Sequence, residues 1–207
     1  MSFRFELKIP GPNAECLAFV NELKRQGALV LHPPRFICSE YFDTNELACV
    51  RESQEGMVPR KKIRIRSYPL SLDPTGFDTE TDVFSLEKKV SSPEGRFKTS
   101  DKISREQYRE LMRSGLVEKG YGVMKPSVCI SYYREYFSLG GIRITYDTAI
   151  RARCRRSHYK YRYIGVNCVK SVIELKGQES EIDQINEITS GMRLERFSKY
   201  ADCFARI

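Results

Sequence analysis

The chain reads as an α+β protein whose antiparallel strands close into a β-barrel with helices packed on the outside. Two observations predict this class. Five short segments alternate charged and apolar residues: Phe5-Glu6-Leu7-Lys8, Ile63-Arg64-Ile65-Arg66, Leu86-Glu87-Lys88-Lys89, Ile142-Arg143-Ile144-Thr145 and Ile173-Glu174-Leu175-Lys176. A period of two is the strand period, so each charged pair points one way and the apolar residues between point the other. The same two patterns, Arg-x-Arg and Glu-x-Lys, also recur in well-separated segments, whereas a merely solvated face tolerates any mixture of Ser, Thr, Gln and charge. Eight or more such strands have to hide their edges, in two packed sheets or in a barrel. In a sandwich the charged face would lie outside, indifferent to sequence. In a wide barrel it lines a wet interior, while Ile63, Ile65, Ile144 and Leu175 face the outer helices.

The elements follow in order. A strand over Phe3 to Ile9 leads to a helix from Pro12-Asn13 to about Gln26, with Leu17, Val20 and Leu23 on one face and Gly27 as its stop. Strands are expected at Arg35 to Phe42, Leu47 to Glu52, Arg60 to Tyr68, Val83 to Val90 and Arg96 to Thr99, punctuated by Pro69 to Thr75 and Ser91 to Gly95. Ser104-x-x-Gln107 is a capping box for a second helix, striped by Tyr108, Leu111 and Met112 and closed by Gly115. Val128 to Leu139 and Ile142 to Ile150 form a hairpin through Gly140-Gly141. Strands at Tyr159 to Val166 and Lys170 to Gly177 precede a helix from Ser180 to Ser190, carrying Ile182, Ile185 and Ile188, and a short helix follows over Ser198 to Ala205. With no repeat and no Pro-rich linker, residues 1–207 are expected to form a single domain.

Composition bounds the rest. The 207 residues are 41% hydrophobic and 30% charged, as in folded globular chains. No apolar stretch of about 18 residues and no apolar leader at Met1 to Ile9 is present, so a cytoplasmic protein without a membrane segment is expected. Seven widely spaced cysteines with no Cys-x-x-Cys argue against a disulfide framework or a zinc site, and two histidines give little basis for a metal centre or hydrolase triad. The net charge of +8 points to an anionic partner.

If the charged face is interior, Arg64, Arg66, Lys89, Lys98, Arg134, Arg143, Lys176 and Lys199 converge, opposed by Glu6, Glu87 and Glu174. Cations so gathered repel unless a polyanion neutralises them, and Arg forks with Lys point charges suit a chain of phosphates. Two roles stay open for the glutamates: ligands of the magnesium or manganese that accompanies a triphosphate, or cross-strand salt bridges.

Several motifs together carry a family likeness: Glu6-x-Lys8, Tyr41-Phe42-Asp43, Lys62-Ile63-Arg64-Ile65-Arg66, Leu86-Glu87-x-Lys89 with Lys98, Tyr133-Arg134, Ile142-Arg143-Ile144, Ile173-Glu174-Leu175-Lys176 and Phe197-Ser198-Lys199-Tyr200. In this order they resemble the VTC catalytic domain, a polyphosphate polymerase of the CYTH-like triphosphate tunnel superfamily. The resemblance implies a tunnel binding triphosphates with Mn2+ or Mg2+, with Lys8, Arg64, Arg66, Lys89, Arg134 and Arg143 as the catalytic cations. It implies phosphate contacts from Lys98 and Lys199, which Lys62 and Lys176 join, and metal ligation led by Glu174, with Glu87 and Glu6. The wider superfamily opens with Glu-x-Glu-x-Lys, whereas Arg4 stands here in place of the first glutamate, which aligns the chain with the polymerase branch. A stand-alone relative is expected, without the regulatory domain and membrane helices of the eukaryotic polymerases.

The expected reaction is transfer of the γ-phosphoryl of a nucleoside triphosphate such as ATP to phosphate or a growing polyphosphate. Metal-dependent hydrolysis of tripolyphosphate or nucleoside triphosphate is the alternative. A non-catalytic binder of polyphosphate or nucleic acid is the third reading. Arg151, Arg153, Arg155, Arg156, Lys160 and Arg162, interleaved with Tyr159, Tyr161 and Tyr163, could serve a nucleic acid, guide polyphosphate out, or simply be solvated. The sequence disfavours nucleic acid and leaves the oligomeric state open.

Overall fold

Alternation turns into strands almost wherever the sequence carries it. A computed structural model describes residues 5–72, 81, 83–156, 162–167 and 170–204. In chain order they form β1 (Phe5–Pro12), α1 (Asn13–Arg25), β2 (Leu29–Asp43), α2 (Ala48–Glu55), β3 (Arg60–Ser67), β4 (Phe84–Ser92), β5 (Gly95–Ile103), α3 (Arg105–Ser114), β6 (Leu116–Glu118), β7 (Gly122–Leu139), β8 (Ile142–Arg156), β9 (Arg162–Asn167), β10 (Lys170–Gly177), a 3-10 turn (Glu179–Glu181), α4 (Ile182–Ile188) and α5 (Lys199–Phe204). No described helix is long and apolar enough to cross a membrane.

These elements belong to two compact units: Met1–Arg35, Tyr132–Ile150 and Cys168–Phe197 make the first, and Phe36–Ser131, Arg151–Asn167 and Ser198–Ile207 the second. In the first unit β1 pairs antiparallel with β10, and β10 with β8. The register sets Leu7 opposite Leu175 and Ile9 opposite Ile173, with Leu175 also opposite Ile144. This apolar face is sealed by Cys16, Val20 and Leu23 of α1 and by Ile185 of α4. Each fully buried side chain of this kind contributes about 1.5–3 kcal/mol. The buried stripe of α1 runs through Cys16 rather than Leu17, which is 44% exposed, because positions 16, 20 and 23 share a helix face. Asn13 pins the helix start, its Oδ1 accepting from Tyr146 Oη (2.8 Å) and Ser171 Oγ (2.7 Å). At the hairpin tip Gly140 takes φ +58°, and a Cβ on Gly141 would meet Glu181 Oε1 at 2.7 Å, so both positions suit glycine.

In the second unit β2 pairs with β3, β3 with β4 and β4 with β5, all antiparallel. β6 lies beside β7 and β9 beside β8. The capping box forms as read, with Ser104 Oγ accepting from Gln107 N and Gln107 Oε1 from Ser104 N, and Tyr108 stacks on Phe84 at 4.3 Å.

Of Leu47 to Glu52, expected as a strand, Ala48 onward lies in helix α2 instead, with Leu47 as its N-cap. Asp43 decides this: its Oδ1 accepts from the N–H groups of Thr44 and Cys49 and its Oδ2 from that of Val50, while Thr44 Oγ1 accepts from Ala48 N. These bonds satisfy donors that a helix start otherwise leaves without partners. β2 and β5 are longer than expected, and β6 was not anticipated. The antiparallel sheet and its helices agree with the expected α+β class. Barrel closure is not among the ladders seen: in the described residues β1 pairs with β10 and β5 with β4. The six described cysteines are buried thiols, none in a disulfide. Arg4, His158, Tyr159, Lys160, Tyr161 and Cys168 lie outside the described residues.

Candidate functional site

Strand register dictates which charges meet. In the second unit Tyr41 of β2 lies opposite Arg64 of β3, which lies opposite Glu87 of β4. Lys62 sits opposite Lys89, and Lys89 opposite Lys98 of β5. All these residues share one sheet face, since directly paired residues point the same way. Arg64 forks onto Glu87, its Nε and Nη2 donating to Oε2 at 2.7 and 2.6 Å, and its Nη1 donates to Tyr41 Oη at 2.9 Å. Lys98 Nζ donates to Glu87 Oε1 at 2.6 Å, and Arg66 approaches Oε2 to 3.9 Å while its Nε reaches Ser39 Oγ at 3.4 Å. Lys62 Nζ donates to Ser198 Oγ at 2.8 Å, and Lys199 follows at the start of α5.

Burial decides between a wet surface and a built site. The side chains of Arg64 and Arg66 are only 12% and 11% exposed, and that of Glu87 only 4%. Burial pushes the Glu87 carboxyl up, but Arg64, Arg66 and the Lys98 hydrogen bond outweigh it and bring its pKa down to about 2. For the Tyr41 phenol burial again raises the value, yet Arg64, Arg66 and Lys62 leave it below the usual tyrosine range. One carboxylate thus holds together a larger set of cations. On the other sheet face Lys61 and Lys88 both bind Glu118, Lys61 at 2.6 Å, which removes them from this group.

The first unit carries its own charged face, opposite the core under α1. Glu6 bridges Lys8 (3.0 Å) and Lys176 (3.2 Å), and Lys176 also binds Glu174 at 2.7 Å. Lys8 Nζ donates to the Phe197 carbonyl at 3.2 Å. Burial and the neighbouring Glu174 charge raise the Glu6 carboxyl, while Lys8 and Lys176 lower it further, so it ends below the ordinary glutamate range. Arg143 is exposed on the same face, opposite Lys176 in register. Arg134 forks onto the fully buried Asp147, Nε to Oδ1 at 2.5 Å and Nη2 to Oδ2 at 2.7 Å. Burial disfavours the Arg134 cation, but Tyr132, Asp147 and Glu174 outweigh that and keep it protonated.

The predicted residues therefore fall into two groups. Lys62, Arg64, Arg66, Glu87, Lys89 and Lys98 share a face in the second unit, which also contains Lys199; Glu6, Lys8, Arg143, Glu174 and Lys176 share one in the first, with Arg134 tied to Asp147 of that face. For a divalent cation the chemistry fits Glu174 and Glu6, two neighbouring carboxylates, with the Glu174 charge acting to raise the Glu6 pKa. No cluster of three or more possible metal-binding side chains occurs among the described residues, so phosphate oxygens and water would have to complete the shell, as is usual for magnesium. Glu87 has cations on both its oxygens, Arg64 on Oε2 and Lys98 on Oε1, as Glu6 has Lys8 and Lys176 on its own.

Sequence reading assigned no role to Asp147, Tyr41, Ser198 or Arg35. Asp147 could have been found from its spacing, since Arg143, Thr145 and Asp147 alternate onto one strand face. Arg35 donates to Tyr136 Oη at 2.9 Å and offered no such signal.

The family model described as the VTC domain matches residues 17–207. Among solved structures, a candidate adenylate cyclase of Bacillus halodurans is 14% identical, covers 98% of both chains and superposes with a TM-score of 0.63. An adenylyl cyclase candidate from Hippeastrum, described as having dominant triphosphatase activity, is 13% identical with a TM-score of 0.58, covering 99% of this chain and 96% of that one. The PH1012 protein of Pyrococcus horikoshii is 10% identical with a TM-score of 0.54 over 95% and 97% of the two chains. At these identities the likeness concerns the fold. No curated protein matches.

Proposed function

This chain belongs to the VTC domain family, and on that premise we propose that it is a metal-dependent phosphotransferase, moving the γ-phosphoryl of a nucleoside triphosphate to phosphate or the end of a polyphosphate. The observation that carries the reading is the group around buried Glu87, where Lys62, Arg64 and Arg66, buried or half-buried, share a face with the exposed Lys89 and Lys98. Such an excess of fixed cations is suited to a polyanion. Phosphoryl transfer passes through a loose, charge-spread transition state that needs alignment and electrostatic stabilisation more than covalent help. Arg64, held by Glu87 and Tyr41, presents a guanidinium already oriented, so little reorganisation is needed when phosphate arrives. Glu87 acts as the counter-ion that lets these cations coexist before substrate binds. In the first unit Lys8, Lys176 and Arg143 contribute phosphate contacts, and Arg134 is oriented by Asp147. Glu174, with Glu6, would hold Mn2+ or Mg2+, which when bound screens the negative charge on the transferring phosphoryl oxygens. A phosphate acceptor is ionised at neutral pH, so no histidine base is required. The closed tunnel and the cytoplasmic location expected from sequence belong to this proposal.

Hydrolysis is the second reading, supported by the triphosphatase activity described for the Hippeastrum neighbour. Product analysis separates the two. Purified protein with ATP and Mn2+ is expected to yield a polymer that stains as polyphosphate on a gel. Orthophosphate alone would favour hydrolysis, and full turnover in folded Arg64→Ala and Arg143→Ala proteins would overturn both.

A further inference from the structure

We propose that Tyr200, in the last helix, is a positioning residue for Arg64 and acts through Tyr41. This rests on the reading of Arg64 as a phosphate ligand. The Tyr200 ring lies flat on the Tyr41 ring, centroids 4.5 Å apart and planes 13° from parallel. Tyr41 Oη in turn accepts from Arg64 Nη1 at 2.9 Å, with the guanidinium carbon 5.7 Å from the ring centroid. Glu87 holds Arg64 from the opposite strand, so the fork is clamped between a carboxylate and a phenol.

What fixes Tyr41 is therefore part of what aims Arg64. Tyr200 is 1% exposed, and its hydroxyl donates to Asp43 Oδ2, the same carboxylate that caps α2. Phe204 packs edge-on against it at 5.6 Å. Removing the Tyr200 ring opens space beside Tyr41 and lets its phenol leave Arg64. Two residues earlier, Ser198 accepts from Lys62, so one short segment steadies two of the proposed phosphate-binding cations, Lys62 by direct contact and Arg64 through two stacked rings.

The test is a double-mutant cycle read by calorimetric titration of the full chain with tripolyphosphate, with folding checked by thermal melting. Tyr200→Phe keeps the ring and is expected to bind within about twofold of wild type, whereas Tyr200→Leu is expected to weaken binding about tenfold. In an Arg64→Lys background, where the fork is already lost, Tyr200→Leu is expected to cost no more than about twofold. A general loosening of the fold would cost the same in both backgrounds, and that result, or unchanged binding by Tyr200→Leu, would overturn the positioning role. If Tyr200→Leu does not fold, Tyr200→Met takes its place in the cycle, filling more of the space while still removing the stacked ring. Loss confined to the Arg64 background supports the role, and equal loss in both overturns it. Wild-type protein that does not bind tripolyphosphate overturns the functional reading itself.

Discussion

Replacing Glu87 with Gln removes one buried charge while keeping shape, and the structure sets the size of the effect. A carboxyl that ordinarily titrates at 4.5 does so here at about 2. At about 1.4 kcal/mol per pH step, the charged form contributes roughly 3 kcal/mol to stability at neutral pH. Because the folded value is depressed, that contribution is complete above pH 4.5 and is lost as pH falls toward 2. Glu87→Gln is therefore expected to be less stable than wild type by about 3 kcal/mol at pH 7, a gap that narrows steadily through the acid range. Urea unfolding of both proteins at pH 7, 5, 4 and 3 measures it. Tripolyphosphate is expected to recover more stability in Glu87→Gln than in wild type, since the ligand replaces the missing negative charge among Arg64, Arg66 and Lys98. A gap independent of pH, or no destabilisation at pH 7, would refute the view of Glu87 as the charge that holds these cations together.

Three further outcomes are expected. Asp147→Ala leaves Arg134 buried without its forked partner and should lower stability by about 3–5 kcal/mol, measured by urea unfolding. Arg143→Ala, exposed at its position, should change stability by less than about 0.5 kcal/mol while reducing ATP turnover at least about tenfold, a split that steady-state kinetics beside a melting curve reveals. Glu174→Gln should weaken Mn2+ binding about tenfold or more in the presence of tripolyphosphate, read from the free-ion electron paramagnetic resonance signal.

Much of the charged face was legible because a strand's period of two acts within a few residues. Glu6 with Lys8, Arg64 with Arg66 and Glu174 with Lys176 needed no tertiary information to be placed together. What eluded the sequence depends on distant partners. Lys88 and Lys89 are adjacent and alike, yet one meets Glu118 on the far face while the other lies opposite Lys98. The number of cations on Glu87 met a similar limit, since three from two strands converge on it. Local signals also misled: the apolar residues after Leu47 resemble a short strand, but the Asp43 carboxylate supplies a helix cap from outside that window. Cys16 displaced Leu17 from the α1 core because only position 16 shares the helix face of Val20 and Leu23.

The Asp43 carboxylate has a consequence for the order in which the chain assembles. Its hydrogen bonds to the start of α2 span only a few residues and can form early. Its bond from Tyr200 spans 157 residues, so closing it waits until α5 has left the ribosome. Until then a buried acid and the ring face of Tyr41 lack their cover. The second unit is thus completed by α5, whose docking onto β2 acts as its closing step.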